Sequence, residues 1–304
     1  MKQMKKLKYL SVIIVLMLAA GCAENFLDQK NLYQKSDESY YKTPADIAEA
    51  LTGAYAALGI DAGNNNPFIV AELMSDDRFG GGGNNDDGFH STDAFTLVDN
   101  DYYSGLFASA WPGILRTNLI IKRFDQAEFT DETEQNKALG ETYFLRAFFY
   151  FRLAKFFGPV PLKTEPVPEN LPRATPEEMY GQIAQDLKTA IDLLPAVKYQ
   201  NIPASELGHA TKWAAEALMA RMFLFYTGYY GKTEIELPDG GKVTKTDVIA
   251  WLEDCINNSG HDLLPDFRNL WPYSKVQNYP FVSKNSLQWA DEKGDNYETV
   301  FAIK

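Results

Sequence analysis

The stretch ETYFLRAFFYFRLAKFFGPVPL, Glu141 to Leu162, constrains the fold more than any other part of the chain. It carries eight aromatic rings in 22 residues, and at 100° per residue those rings do not gather into one stripe. Phe149, Leu153, Phe156, Phe157, Tyr150, Tyr143, Ala154 and Ala147 fill one half of the wheel. Phe144, Phe148, Phe151 and Leu145 flank a narrow arc holding Glu141, Arg152 and Lys155. A helix that is apolar nearly all round is buried between neighbours, so the rings read as core and not as a ligand platform. Arg146 points into the apolar half. A buried guanidinium must be met by a carboxylate or several carbonyls, so Arg146 is expected to be a buried, paired structural charge. Gly158 and Pro159 end the helix, a C-cap glycine followed by a residue that cannot continue it.

Helical signals recur along the chain. TPADIAEALTGAYAALG and TPEEMYGQIAQDLKTAIDLLP each open on an N-cap threonine (Thr43, Thr175) with proline at the first helical position. A helix is expected from about Gly105 to Phe124, and two more in ATKWAAEALMARMFLFYTGYY and KTDVIAWLEDCINNSG. Residues 60–105, rich in Gly, Asn and Asp, read as irregular loop. KTEIELPDGGKVTK reads as a hairpin turning at Asp239-Gly240-Gly241, and the closing YETVFAIK as an apolar strand. Tyr143, Ala147 and Tyr150 fit the first helix of a tetratricopeptide repeat, and Ala190 and Pro195 the end of the second, with about 24 residues inserted between them. The expected fold is all-α: a tetratricopeptide-like helical-repeat superhelix with long irregular loops and a small β-hairpin.

The N-terminus, MKQMKKLKYLSVIIVLMLAAGC, has a basic start and an apolar run from Tyr9 to Ala20 that is too short to span a bilayer. It reads as a signal peptide over residues 1–21. The small residues before Cys22 resemble a bacterial lipobox, which makes Cys22 the expected lipidation site; an ordinary signal peptide with a chance cysteine is the alternative. A tether over residues 22–43 then leads into a helical domain over 44–304. The only other cysteine, Cys255, lies on an expected helix and reads as a small buried hydrophobe.

Beyond the signal segment the chain keeps 25 basic against 41 acidic residues. Such a surface repels phosphate backbones, so no nucleic-acid partner is expected. No catalytic motif emerges: there is no G-x-S-x-G, and the three histidines, His90, His209 and His261, form no H-E-x-x-H. His209, beside a helix start, reads as a capping or surface residue. No cofactor and no metal ligand set are expected. An EF-hand centred on Gly88 fails because its twelfth position is Ala94, although an irregular calcium site stays open. The acids Asp76, Asp77, Asp86 and Asp87 leave a glycosidase pair open, since that chemistry needs two carboxyls at a defined separation. The exposed rings and planar polar groups that a sugar would meet lie in MSDDRFGGGGNNDDGFH and LVDNDYYSG. The ligand-binding candidates there are Arg78, Asn84, Asn85, Asp86, Asn100, Asp101, Tyr102 and Tyr103, with Phe89 beside them; a rigid scaffold can present such loops. As the alternative, Tyr102 and Tyr103 simply cover the core at the start of the next helix.

Several segments together resemble the SusD/RagB family: the lipobox followed by ENFLD, the helix TPADIAEALTGAYAAL, the signature GETYFLRAFFYFRLAKFFGPVPL, and SGHDLLPDFRNLW leading to ETVFAIK. The resemblance covers essentially the whole chain. It implies a non-enzymatic lipoprotein of the outer membrane, facing the cell surface, held by a lipid anchor. Such a protein binds an oligosaccharide or peptide and delivers it to a TonB-dependent SusC-like barrel. Family chains usually continue past the segment like ETVFAIK, so the resemblance also implies that the helical domain is incomplete at its C-terminus. A glycoside hydrolase on a helical scaffold, and a repeat scaffold binding only its barrel partner, remain the alternatives.

Overall fold

The helix caps are chemically explicit. In the computed structural model, which describes residues 40–61, 67–75, 77–83, 85–96, 103–265 and 296–303, helix α1 (Pro44–Ala56) starts from a capping box. Thr43 accepts from the Asp46 amide while the Asp46 carboxylate accepts from the Thr43 amide. The same reciprocal pair, Thr175 with Glu178, opens α6 (Pro176–Leu193), and Thr244 with Asp247 opens α8 (Lys245–Asn258). Thr211 caps α7 (Lys212–Tyr230) and Asp131 caps α5 (Glu132–Phe157). Gly158 closes α5 at φ 67°, a left-handed conformation that favours glycine.

The remaining elements are α2 (Pro67–Leu73), α3 (Asp87–Asp93), α4 (Tyr103–Arg123) and a hairpin of β1 (Glu234–Glu236) and β2 (Lys242–Thr244). The hairpin pairs antiparallel with Ile235 opposite Val243, turning through Asp239-Gly240-Gly241. The fold is the expected one, mostly helical with one small hairpin. Helix α5 lies against both α4 and α6, and α6, α7 and α8 pack in succession. Ala147 and Ala190, the two small repeat positions, are both fully buried. Close approach is also written in the glycines. A Cβ on Gly113 of α4 would sit 2.3 Å from the Phe149 ring, and one on Gly140 of α5 would sit 2.8 Å from Leu194.

Arg146 and its partners occupy the middle of this stack. Its Nε and Nη2 donate to Asp186 Oδ2 and Oδ1 at 2.7 and 2.6 Å, and its Nη1 donates to Asn118 Oδ1 at 3.1 Å and the Thr164 carbonyl at 3.3 Å. Burial works against the guanidinium's charge, but Asp186 outweighs it and holds the pKa above the ordinary arginine value. Asn118 Nδ2 and Tyr150 Oη both donate to the Lys163 carbonyl, and the Lys163 amide donates back to Tyr150 Oη. The residues inserted between the repeat helices are thus pinned to the core by α4 and α5.

Three expectations are corrected. The segment 60–105 is not loop throughout: α2 forms by burying Val70 and Leu73, and α3 is tied by Ser91 and Thr92 hydroxyls donating to the Gly88 carbonyl. The narrow charged arc of α5 is itself largely covered. Lys155 is exposed, but Glu141 and Arg152 are buried. Glu141 Oε2 accepts from Tyr55 Oη at 2.6 Å and lies 2.7 Å from His209 Nδ1, so an acid on the wheel's charged edge becomes an internal bridge. That carboxylate, after burial itself, raises the Tyr55 pKa well above its ordinary value. His209 is consequently more than a capping or surface residue: its ring lies tilted against Tyr55 at 4.9 Å and it joins the bridge. Finally, YETVFAIK forms no strand over its described residues 297–303. Asn296 Oδ1 accepts from the Glu298 and Thr299 amides and turns the chain, while Phe301 packs against Phe144 at 5.0 Å and Phe148 at 5.9 Å.

Candidate functional site

The glycine-rich loop between α2 and α3 is built by its own aspartates. Asp86 Oδ2 accepts from the Gly82 and Gly83 amides at 2.9 and 2.8 Å, and Asp93 Oδ2 from the Gly80 amide at 3.0 Å. Those backbone donors hold the Asp86 carboxyl below the usual carboxylate range. The glycines are required for the fit. Gly81 sits at φ 77°, and a Cβ on Gly80 would come within 2.4 Å of the Phe89 carbonyl oxygen. The loop therefore folds back over the start of α3 as a stapled unit and not as a solvated coil.

The staple leaves aromatic rings in water. Phe79, directly before the glycines, is 76% exposed and meets His90 edge-on at 5.5 Å; Phe68 of α2 and Phe95 after α3 are 68% and 65% exposed. Arg78 lies beside Phe79 in the chain, its Nε 2.8 Å from Glu72, and Asn85 is exposed. Flat apolar faces beside planar donors and acceptors suit a ligand that is itself amphipathic, with C–H faces and hydroxyls. The same contacts weigh against acid–base chemistry by Asp86, because one oxygen is committed to the loop. Residues 87–93 are helical, so the span once aligned with a calcium loop cannot wrap an ion in that way. No group of three or more metal-ligating side chains occurs among the described residues.

Of the ligand candidates, Arg78, Asn85 and Asp86 share this loop, but Asp86 serves it as a staple. Tyr103 is half-buried in the first turn of α4, and its hydroxyl donates to the Thr96 carbonyl at 2.7 Å, tying down the end of the segment. Asn84, Asn100, Asp101, Tyr102 and Cys22 lie outside the described residues. Sequence reasoning favoured Phe89, which is only partly exposed, and passed over Phe68, Phe79 and Phe95. The signal for Phe79 was available: a ring preceding four glycines has no element of its own to bury it.

Comparisons with known proteins place this architecture. Residues 25–224 match a SusD-like family model described as starch-binding and associating with the outer membrane. A SusD-like protein of Bacteroides ovatus is 24% identical along 98% of this chain and 52% of its own length. SusD-like protein P2 of Formosa agariphila is 28% identical over 73% of this chain and 43% of its own length. A solved laminarin-binding SusD-like protein superposes with a TM-score of 0.61 at 26% identity, over 79% of this chain and 50% of that one. The chain thus spans about half the length of the curated relatives it matches. Among the described residues no helix is long and apolar enough to cross a membrane. With a family match over most of the helical stack and the same fold in a solved relative, the chain belongs to the SusD-like family.

Proposed function

We propose that this protein is a surface glycan-binding lipoprotein that hands its ligand to a TonB-dependent SusC-like outer-membrane barrel and performs no catalysis itself. The observation that carries the reading is the pairing of family membership with a stapled loop that leaves Phe79 in water, with Phe95 exposed after α3. A relative described as binding laminarin makes a β-glucan the first ligand to try. The site comprises Arg78, Phe79, Asn85 and Phe95, with Asn84, Asn100, Asp101 and Tyr102 as neighbours in sequence. Cys22 carries the lipid that holds the chain at the outer membrane, on the side facing the surroundings. Calorimetry of the full chain against laminarin oligosaccharides tests the binding. Phe79→Ala and Arg78→Ala should each weaken affinity by about tenfold or more, roughly 1.4 kcal/mol, with an unchanged melting temperature. Unaltered affinity in both variants would move the site off this loop, and release of shorter sugars by the purified protein would replace binding with hydrolysis. Cys22→Ala should release the protein from membrane fractions, and co-purification of a barrel-type membrane protein with the wild type tests the partner.

A further inference from the structure

Helix α7 carries a stripe that runs from the core out to solvent. Arg221, Phe225 and Tyr229 stand four residues apart and so share one face of the helix. Phe225 and Tyr229 stack with 5.8 Å between centroids and 14° between planes, and Tyr180 of α6 lies behind Phe225 at 6.2 Å and 17°. Phe151 of α5 meets Phe225 edge-on at 6.0 Å, and Lys155 Nζ lies 5.0 Å from the centre of the Phe151 ring. Lys155 and Arg221 are exposed, and Tyr229 keeps 74% of its surface in water.

The two exposed cations of this stripe lack acidic partners among the described residues. Lys188, Lys212, Lys232 and Lys242 each sit against an aspartate or glutamate. Lys155 and Arg221, by contrast, have no carboxylate in reach among the described residues. Lys155 reaches the stripe over Phe151, and Arg221 stands one helical turn before Phe225. Partial burial first, then the charges of Arg221 and Arg152, hold Lys155 below the ordinary lysine range. Two exposed cations with no carboxylate in reach among the described residues, in a chain with 29 basic and 41 acidic residues, mark a place where an anion is wanted.

We infer that this stripe, outside the glycine-rich loop, is a second binding site, and that its ligand is an acidic glycan. Sugar C–H groups lie on the exposed ring of Tyr229, and carboxylate or sulfate groups are held by Lys155 and Arg221. The inference rests on the glycan-binding reading above. An exposed ring braced by stacked neighbours, beside charge-assisted donors, suits a ligand with a flat apolar face and regularly placed anions. A lipid surface fits less well, because each basic side chain adds only about 1 kcal/mol there and the acidic remainder of the chain repels the same headgroups.

Native affinity electrophoresis of the full chain, in gels containing polygalacturonate or dextran sulfate, tests the site. The wild type should be retarded by at least one polymer. Retardation by the first alone identifies carboxylate as the recognised group, and by the second alone sulfate. The double variant Lys155→Gln with Arg221→Gln should weaken that binding by at least tenfold, and Tyr229→Ala severalfold. Laminarin binding should stay unchanged in these variants. Phe79→Ala should show the opposite pattern, so failure of the loop site and failure of this one are told apart. If the double variant melts lower than the wild type, the charge-preserving pair Lys155→Arg with Arg221→Lys decides: retained retardation supports the site, and lost retardation overturns it. No retardation of the wild type by either polymer, or equal retardation of wild type and double variant, would overturn the inference.

Discussion

The helical stack and the glycine-rich loop both rely on aspartates, and they use them in opposite ways. Asp186 is fully buried and answers Arg146, a residue 40 positions away on a different helix. Asp86 and Asp93 answer backbone amides no more than 13 positions away, at the surface. In the stack, polar groups are satisfied across elements, so each bond depends on the whole fold. The loop's bonds depend on little beyond its own glycines. The loop's geometry is therefore largely self-contained and makes few demands on the helical stack.

The sharpest way to break the comparison is Arg146→Ala. It strands Asp186 in the core, and unfolding in urea should show a loss of about 3–5 kcal/mol, whereas Lys155→Ala on the exposed edge of the same helix should stay within about 0.5 kcal/mol. Equal, small losses would mean that the pair is not structural. Next in size is Gly113→Ala, which drives a methyl group into the Phe149 ring. Overpacking of this sort costs about 1–3 kcal/mol, and the loss should be largely relieved by Phe149→Leu in the same chain.

A third test probes a buried acid that the stack satisfies poorly. Glu216 is fully buried, with Oε1 3.5 Å from a lysine (Lys212) that Asp254 already engages at 2.6 Å. Burial pushes its pKa up to about 7. Since the folded pKa lies above the unfolded one, the folded state holds the extra proton between roughly pH 4.5 and 7, and this group's contribution is lost as pH rises through that window. Glu216→Gln should therefore raise stability at pH 8 by on the order of 2 kcal/mol and leave it nearly unchanged at pH 4.5. A pH-independent effect would show that the carboxyl is not the titrating group.

The smallest global effect is expected from Asp86→Ala. The melting temperature should stay where it is, while hydrogen exchange at the Gly82 and Gly83 amides speeds up. Because the Asp86 pKa is depressed, the staple should hold above the ordinary carboxylate range and loosen only as pH falls through the lower folded value. A global loss of stability in this variant would show that loop and stack are coupled after all.

Much of the fold is legible in the residues because its signals are local. Thr43-Pro44 and Thr175-Pro176 place helix starts, Gly158-Pro159 ends α5, Asp239-Gly240-Gly241 turns the hairpin, and the all-round apolar character of α5 requires neighbours on every side. The position of Arg146 on the wheel predicts burial, but only the tertiary structure supplies Asp186, Asn118 and the Thr164 carbonyl, which come from three separate segments. Glu141 and His209 show the limit of a wheel most clearly. A charged arc on one helix says nothing about which chain will cover it, and here Tyr55 and the turn before α7 do so. The candidate site divides along the same line. Its location in a glycine-rich segment follows from composition. Which rings remain in water there is decided by how Asp86 and Asp93 fold the loop onto α3, and so is the outcome that Phe79 and Phe95 stay exposed while Phe89 is half-covered. In the stack, exposure is fixed by contacts between segments far apart in the chain; in the loop it is fixed by local hydrogen bonds whose geometry appears only once the loop is folded.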